Sequence, residues 1–139
     1  MKKQLLILAS IVWILSACGG NQKKANDALR EKVIAIHDEV MPHMGTLKNY
    51  QKQVEKRIAQ ADSLGISPEE IAELKLLAGD LGNAFEGMFV WMRQFKSVND
   101  DMTADQVRDY LLEQKLAVEK VNQDIKESMA NYKSKFGDN

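Results

Sequence analysis

Two methionine pairs and one histidine are the residues best suited to chemistry in this 139-residue chain. His37, Met41 and Met44 follow one another at steps of four and three, which places them on one face of a helix. Met88 and Met92 are four residues apart and share a face in the same way. Thioether sulfur is a soft ligand that suits Cu(I), and imidazole also binds copper. One hypothesis is therefore a soft-metal site with Cu(I) as its cofactor.

The same residues have a plainer interpretation as part of a packed core, with no cofactor at all. Methionine is flexible and fills irregular gaps between helices. If the chain turns back near Gly65, His37 and Met41 come level with Met88 and Met92. A histidine in such a layer is commonly buried beside a carboxylate partner. Core packing is the interpretation we favour from the sequence, and the metal site is the alternative.

Residues 1–17 have the pattern of a secretory signal peptide. Lys2 and Lys3 precede an apolar run at 5–15 that only Ser10 interrupts. At about 1.5 Å per residue, this run is too short to span a bilayer core of about 30 Å. A short apolar run behind a basic start is typical of a signal peptide. We expect residues 1–17 to be cleaved from the mature protein.

The end of this segment, Leu15-Ser16-Ala17-Cys18, resembles the lipobox of bacterial lipoproteins. The resemblance implies cleavage before Cys18, diacylglycerol on its sulfur and an acyl chain such as palmitate on the new amine. Gly19 is not the Asp that favours inner-membrane retention in some bacteria. We therefore expect an outer-membrane location facing the periplasm, with the leaflet left open. Residues 18–25 show no apolar periodicity and are predicted to form a flexible tether.

From Asn26 onward, apolar residues recur at alternating steps of three and four, which predicts helices with heptad seams. The predicted helices cover about 26–62, 68–96 and 103–132. The three seams are Val33, His37, Val40, Met44, Leu47, Gln51, Val54, Ile58 and Ala61; Ile71, Leu74, Ala78, Leu81, Phe85, Met88, Met92 and Phe95; and Val107, Leu111, Gln114, Val118, Val121, Ile125, Ser128 and Tyr132.

The predicted helix ends carry recognisable signals. Gly65 suits the position just past a helix C-terminus. Ser67 and Thr103 are predicted N-caps, and Glu70 and Gln106 stand three residues later, where they can close a capping box. Short connections make neighbouring helices antiparallel. The prediction for 26–132 is an all-α, elongated, antiparallel three-helix bundle whose first helix overhangs the others, followed by a frayed tail at 133–139. The alternative is a longer coiled-coil assembly through that overhang.

Pro42 interrupts the first seam. A proline inside a helix removes one hydrogen bond and bends the chain. The favoured prediction is a kink in one long helix. A true break with Pro42 starting a second helix, or a kink that opens a pocket at the Met/His level, are the alternatives.

Two segments carry a further resemblance: His37-Asp38-Glu39-Val40-Met41-Pro42-His43-Met44 and Trp91-Met92-Arg93-Gln94-Phe95. Both are similar to segments of small uncharacterised bacterial lipoproteins, some labelled "viral A-type inclusion protein". The resemblance covers nearly the whole chain after Cys18. It implies a helical lipoprotein and supplies no catalytic residues.

Composition and missing motifs limit the function. A formal charge of −1 argues against a nucleic-acid partner. The chain lacks the G-x-S-x-G, Gly-rich phosphate-loop and H-E-x-x-H patterns, so we expect no enzyme. The prediction is a non-enzymatic binding or structural module of the cell envelope, with the oligomeric state open. Trp91, expected to cover the flank of the bundle, and Arg93 are the candidates for contacting an envelope protein.

Overall fold

The computed structural model describes residues 2–97 and 99–137, with side chains described from Gly20 onward. The described residues form helices and turns, with no strand among them, which confirms the all-α prediction. The elements in chain order are α1 (Lys2–Val40), a 3-10 turn (Met41–His43), α2 (Met44–Ala59), α3 (Ala61–Leu64), α4 (Pro68–Gln94) and α5 (Ala104–Phe136). Within this part of the chain, no helix combines the length and apolar character needed to cross a membrane.

The turn between α3 and α4 forms as its sequence predicts. Gly65 has φ +64°, a left-handed conformation that glycine adopts without a steric penalty. The Ile66 N–H bonds the Ala61 carbonyl at 3.0 Å, and the Gly65 N–H bonds that of Asp62 at 3.4 Å. These two bonds make a Schellman motif, which satisfies carbonyls that the helix end leaves free.

The predicted N-caps are both present, but only one capping box closes. Thr103 accepts from the Gln106 N–H, and the Gln106 side chain accepts from the Thr103 N–H at 2.8 Å. Ser67 accepts from the Glu70 N–H at 3.2 Å. The Glu70 carboxylate turns away and accepts from Arg57 at 3.4 Å instead.

The chain at Pro42 matches neither a continuous kinked helix nor a separately capped one. α1 ends at Val40, and the 3-10 turn at 41–43 joins it to α2. Backbone dihedrals stay right-handed, with φ −103° at Val40 and −88° at His43. Because Pro42 has no N–H to donate, the tighter hydrogen-bond pattern replaces one α-helical turn. The single helix predicted for 26–62 is therefore divided into α1, α2 and α3.

Two predicted irregular segments are helical. Residues 20–25, expected to form a flexible tether, belong to α1, and the Gln22 side chain donates to the Asp105 carboxylate. Just beyond them, Asn26 donates to the Ala104 carbonyl at 2.8 Å. The tether prediction is wrong here because these long-range contacts stabilise a stretch with good helix formers. The described part of the structure does not include the Cys18 side chain or the side chains of the predicted signal peptide at 1–17.

The C-terminal tail is the second such segment. α5 runs to Phe136, four residues past the predicted end. The Phe136 ring packs 4.9 Å from the Tyr132 ring, and Lys135 Nζ lies 2.8 Å from a Glu73 carboxylate oxygen. The predicted fraying from Lys133 is therefore wrong up to Phe136, and residues 138 and 139 lie outside the described part.

The predicted seams supply most of the core. α1 packs on α5, α2 on α4, and α4 on α5. Fully or nearly fully buried seam residues are Val33, Val40, Met44, Leu47, Val54, Ala61, Leu74, Ala78, Leu81, Met88, Leu111, Val118, Ile125, Ser128 and Tyr132. Tyr50 and Asn122, which the seams omit, are buried as well.

Candidate functional site

The candidate site is a layer of aromatic and imidazole rings near the C-terminal ends of α1 and α4. The His37 and Trp91 ring centroids lie 5.6 Å apart, with an angle of 35° between the planes. Trp91 also stacks on Phe95, with centroids 4.9 Å apart. Trp91 is only 6% exposed, so its indole lies on the buried side of this layer.

The two ring nitrogens of His37 have different surroundings. Nδ1 lies 2.8 Å from Oδ1 of Asp38, the next residue along the helix. A carboxylate only accepts, so Nδ1 is the nitrogen that donates. In the neutral ring, Nε2 then carries the free lone pair. Nε2 is buried and has no hydrogen-bond partner among the described residues.

His37 and Asp38 are consecutive in α1, so their side chains leave the helix in different directions. Side-chain rotation is enough to bring a short carboxylate to the ring edge, although the two Cβ atoms diverge. His37 has the carboxylate partner expected of a histidine in a packed layer, but its side chain is 19% exposed and therefore only partly buried.

A shallow pocket opens beside these rings. Its volume is about 230 Å³, and its walls are Ile34, His37, Asp38, Trp91, Met92 and Phe95. The walls are mostly apolar, so a bound group would be surrounded by few competing oxygen ligands. Ile34 and Met92 are each 39% exposed and form the outer rim.

The structure divides the five residues of the predicted metal set into two groups. Met44 and Met88 are buried in the core at 6% and 0% exposure, and Met41 packs against that core. His37 and Met92 line the pocket instead. The five-residue Cu(I) site remains a prediction. In the described part of the chain, no group of three or more His, Cys, Asp or Glu side chains is placed to hold a metal ion.

Trp91 and Met92 exchange the roles that the sequence predicts for them. Met92 was expected in the seam and Trp91 on the flank, but Trp91 is buried and Met92 is exposed. The reason is that α4 packs against both α2 and α5, so it buries a wider stripe than a single seam. Leu77, Ala84 and Trp91 form the additional buried row, and their exact seven-residue spacing is the signal that could have identified it.

The partner-contact candidates differ in accessibility. Arg93 is exposed, but Trp91 presents little surface, and its indole Nε1 is buried without a hydrogen-bond partner among the described residues.

Sequence reasoning did not identify Ile34, Asp38 or Phe95 as parts of this site. The contacts that bring Ile34 and Asp38 to the pocket join α1 to α4 and depend on the tertiary fold.

Comparison with known proteins identifies no relative of this chain. No protein-family model matches the chain, and searches of curated proteins and of solved structures give no match. The lipobox and the similarity to helical lipoproteins therefore stay predictions from the sequence.

Proposed function

We propose that this protein is a lipid-anchored, non-enzymatic helical module of the cell envelope, held at the outer membrane and facing the periplasm. Its role is to bind a partner protein or to serve as a structural element. The observation that carries this proposal is the position of the only cysteine. Cys18 follows Leu15-Ser16-Ala17 directly, at the end of a short apolar run behind two lysines.

Lipid attached to Cys18 would be sufficient for stable anchoring. Each buried CH₂ group contributes about 0.8 kcal/mol, so one acyl chain binds marginally while two or more hold firmly. The residues that follow favour a short, firm connection to the folded part. Gln22 and Asn26 hydrogen-bond to Asp105 and Ala104 at the N-terminal end of α5, so this end of the molecule would lie next to the membrane.

We further propose that the helices form an elongated antiparallel three-helix bundle, with α1 and α2 together as its first arm. The first arm and α5 run in the same direction, because their contacts proceed from Asn26 with Ala104 to Glu39 with Lys126. Contacts between the first arm and α4 run oppositely, from Arg57 with Glu70 to His37 with Trp91, which supports the antiparallel arrangement.

A cross-link tests the register of α4 against α5. A Cβ added at Gly87 would lie 3.9 and 4.0 Å from the two methyl groups of Val121. In a Cys18→Ser background, Gly87→Cys with Val121→Cys should oxidise readily to a disulfide. Gly79→Cys with Val121→Cys should not, because a Cβ at Gly79 has no neighbour within 4 Å. Equal cross-linking of both pairs would contradict the proposed bundle.

The anchor is tested by Cys18→Ala in a bacterial host with lipoprotein processing. The variant should lose incorporation of labelled palmitate and leave the membrane fraction after a high-salt wash. Gly20→Ala is the matched control, because a Cβ at that position meets nothing within 4 Å. Membrane retention of Cys18→Ala after the wash would overturn the lipid-anchor proposal.

A further inference from the structure

We propose that the pocket beside Trp91 is a soft-metal site in which His37 Nε2 and the thioether of Met92 bind a single Cu(I) ion. This goes beyond the anchoring role and does not depend on it. The site also differs from the five-residue set that spacing alone predicts, because only His37 and Met92 from that set line the pocket.

The hydrogen bonding of His37 supplies the first argument. Metals bind the neutral imidazole through a nitrogen lone pair, and the other nitrogen usually donates to a carboxylate that fixes the ring. Asp38 Oδ1 lies 2.8 Å from Nδ1 and meets that description. Nε2 is left without a hydrogen-bond partner among the described residues, so none of them occupies its lone pair.

The identity of the second ligand follows from burial. Met44 and Met88 are fixed in the core, where moving a side chain would leave a cavity. Met92 is 39% exposed on the rim of the pocket, and an unbranched thioether side chain changes rotamer at little cost. Because neighbouring atoms cover Nε2, a metal ion can reach it only if a side chain of the pocket moves. Met92 is the flexible side chain in the pocket wall.

The surroundings favour a soft monovalent ion. Ile34, Trp91 and Phe95 make the remaining walls largely apolar, and the Asp38 carboxylate is turned to Nδ1. One imidazole and one thioether are too few ligands for zinc, which takes four in structural sites. Cu(I) accepts low coordination numbers and soft donors. The face of the Trp91 indole, in contact with His37, can add a cation–π attraction.

The site is tested by titrating the full chain with Cu(I) against a chromophoric chelator, without oxygen and in detergent. The background carries Cys18→Ser, which removes the only thiol, and Trp13→Phe, which leaves Trp91 as the only indole. The expected result is one Cu(I) per chain with quenching of Trp91 fluorescence. Met92→Leu and His37→Leu should each weaken binding by about tenfold or more, because the loss of a ligand should cost at least as much as the loss of a residue that only orients one.

The control variants are Met88→Leu and Met44→Leu, which nearly conserve core volume. Both should bind Cu(I) as the background does, with circular dichroism showing that each variant is folded. Absence of one-to-one binding in the folded background protein would overturn the site. Loss of binding in Met88→Leu with retention in Met92→Leu would overturn it too and would assign the metal to the core methionines.

Discussion

Asn122 of α5 donates both hydrogens of its side-chain amide to α1: one to the Ile36 backbone carbonyl and one to a Glu39 carboxylate oxygen, each at 2.9 Å. The other Glu39 oxygen accepts from Lys126 at 2.6 Å. These contacts lower the pKa of Glu39, with the Lys126 hydrogen bond as the largest cause and the Asn122 bond next. A buried polar residue thus fixes α1 against α5 one turn before Pro42.

Replacing Asn122 with alanine is expected to destabilise the protein by about 1–3 kcal/mol, the cost of unpairing partly buried polar groups. Asn122→Asp should cost more, because it sets a second carboxylate against Glu39. The measurement is the free energy of unfolding from urea denaturation.

Gln123→Ala is the matched control for Asn122. Gln123 is exposed, and among the described residues its side chain bonds only Glu127 on the same helix, so this change should stay within about 0.5 kcal/mol. If Asn122→Ala lost no more stability than Gln123→Ala, the bonds to α1 would contribute nothing to stability.

Glu73 gives α4 and α5 a pH-dependent link. Its pKa is lowered from 4.5, first by the hydrogen bond from Lys135 and then by the attraction of its charge. A carboxyl whose pKa falls on folding stabilises the protein fully above its unfolded pKa and loses that effect as pH falls through the folded pKa. Glu73→Gln should therefore lower Tm slightly at neutral pH, and the difference should vanish in acid.

The effect of Glu73→Gln should be small, because the Glu73 side chain is 68% exposed and exposed ion pairs contribute little. Glu113→Gln on the exposed face of α5 is the matched control for the removal of one surface carboxylate. If Glu73→Gln still had a lower Tm than the unchanged protein in acid, the cause of the lower Tm would be lost packing rather than lost charge pairing.

Most of the core is readable from the sequence because helical burial repeats every three to four residues. Val33 and Val40 on α1, Leu47 on α2, and Val118 and Ile125 on α5 are at 0% exposure where the seams place them. The pattern fails at Trp91 because a seam describes contact with one neighbour. A helix between two neighbours buries a wider stripe, and the sequence does not state how many neighbours a helix has.

The helical state of residues 20–25 and the arrangement of the site depend on contacts that local sequence does not encode. Residues 20–25 have no apolar repeat, yet they are helical where Gln22 and Asn26 reach α5. Spacing placed His37 and Met92 at one level, which the shared pocket supports. Spacing could not distinguish the exposed Met92 from the buried Met88. A four-residue step shows that two side chains share a helix face, but it does not show how deeply each is buried.

The glycines of α4 make a sharp test of helix propensity. A Cβ at Gly79 meets nothing within 4 Å, whereas one at Gly82 would lie 2.9 Å from the Gln51 amide nitrogen. Gly79→Ala should therefore stabilise the protein by about 0.5–1 kcal/mol. Gly82→Ala should gain less, because the Gln51 amide must move away from its bond to Glu55.

Urea midpoints of the two alanine variants, compared at equal m-value, would measure this difference. Equal gains would show that the Gln51 side chain moves aside at no cost. A loss at Gly79 would contradict the open surroundings of that position.

The end of α5 provides the most direct contrast between the structure and the sequence prediction. Phe136 packs against Tyr132, and Arg57 lies over its ring at 5.9 Å. Removing the ring should cost about 1–3 kcal/mol through lost apolar burial and ring contacts. Phe136→Ala is therefore expected to lower the urea midpoint clearly, while Ser134→Ala, on the exposed side of the same turn, should leave it nearly unchanged. If residues 133–139 were frayed, as the sequence alone predicts, the two variants would unfold at the same urea concentration.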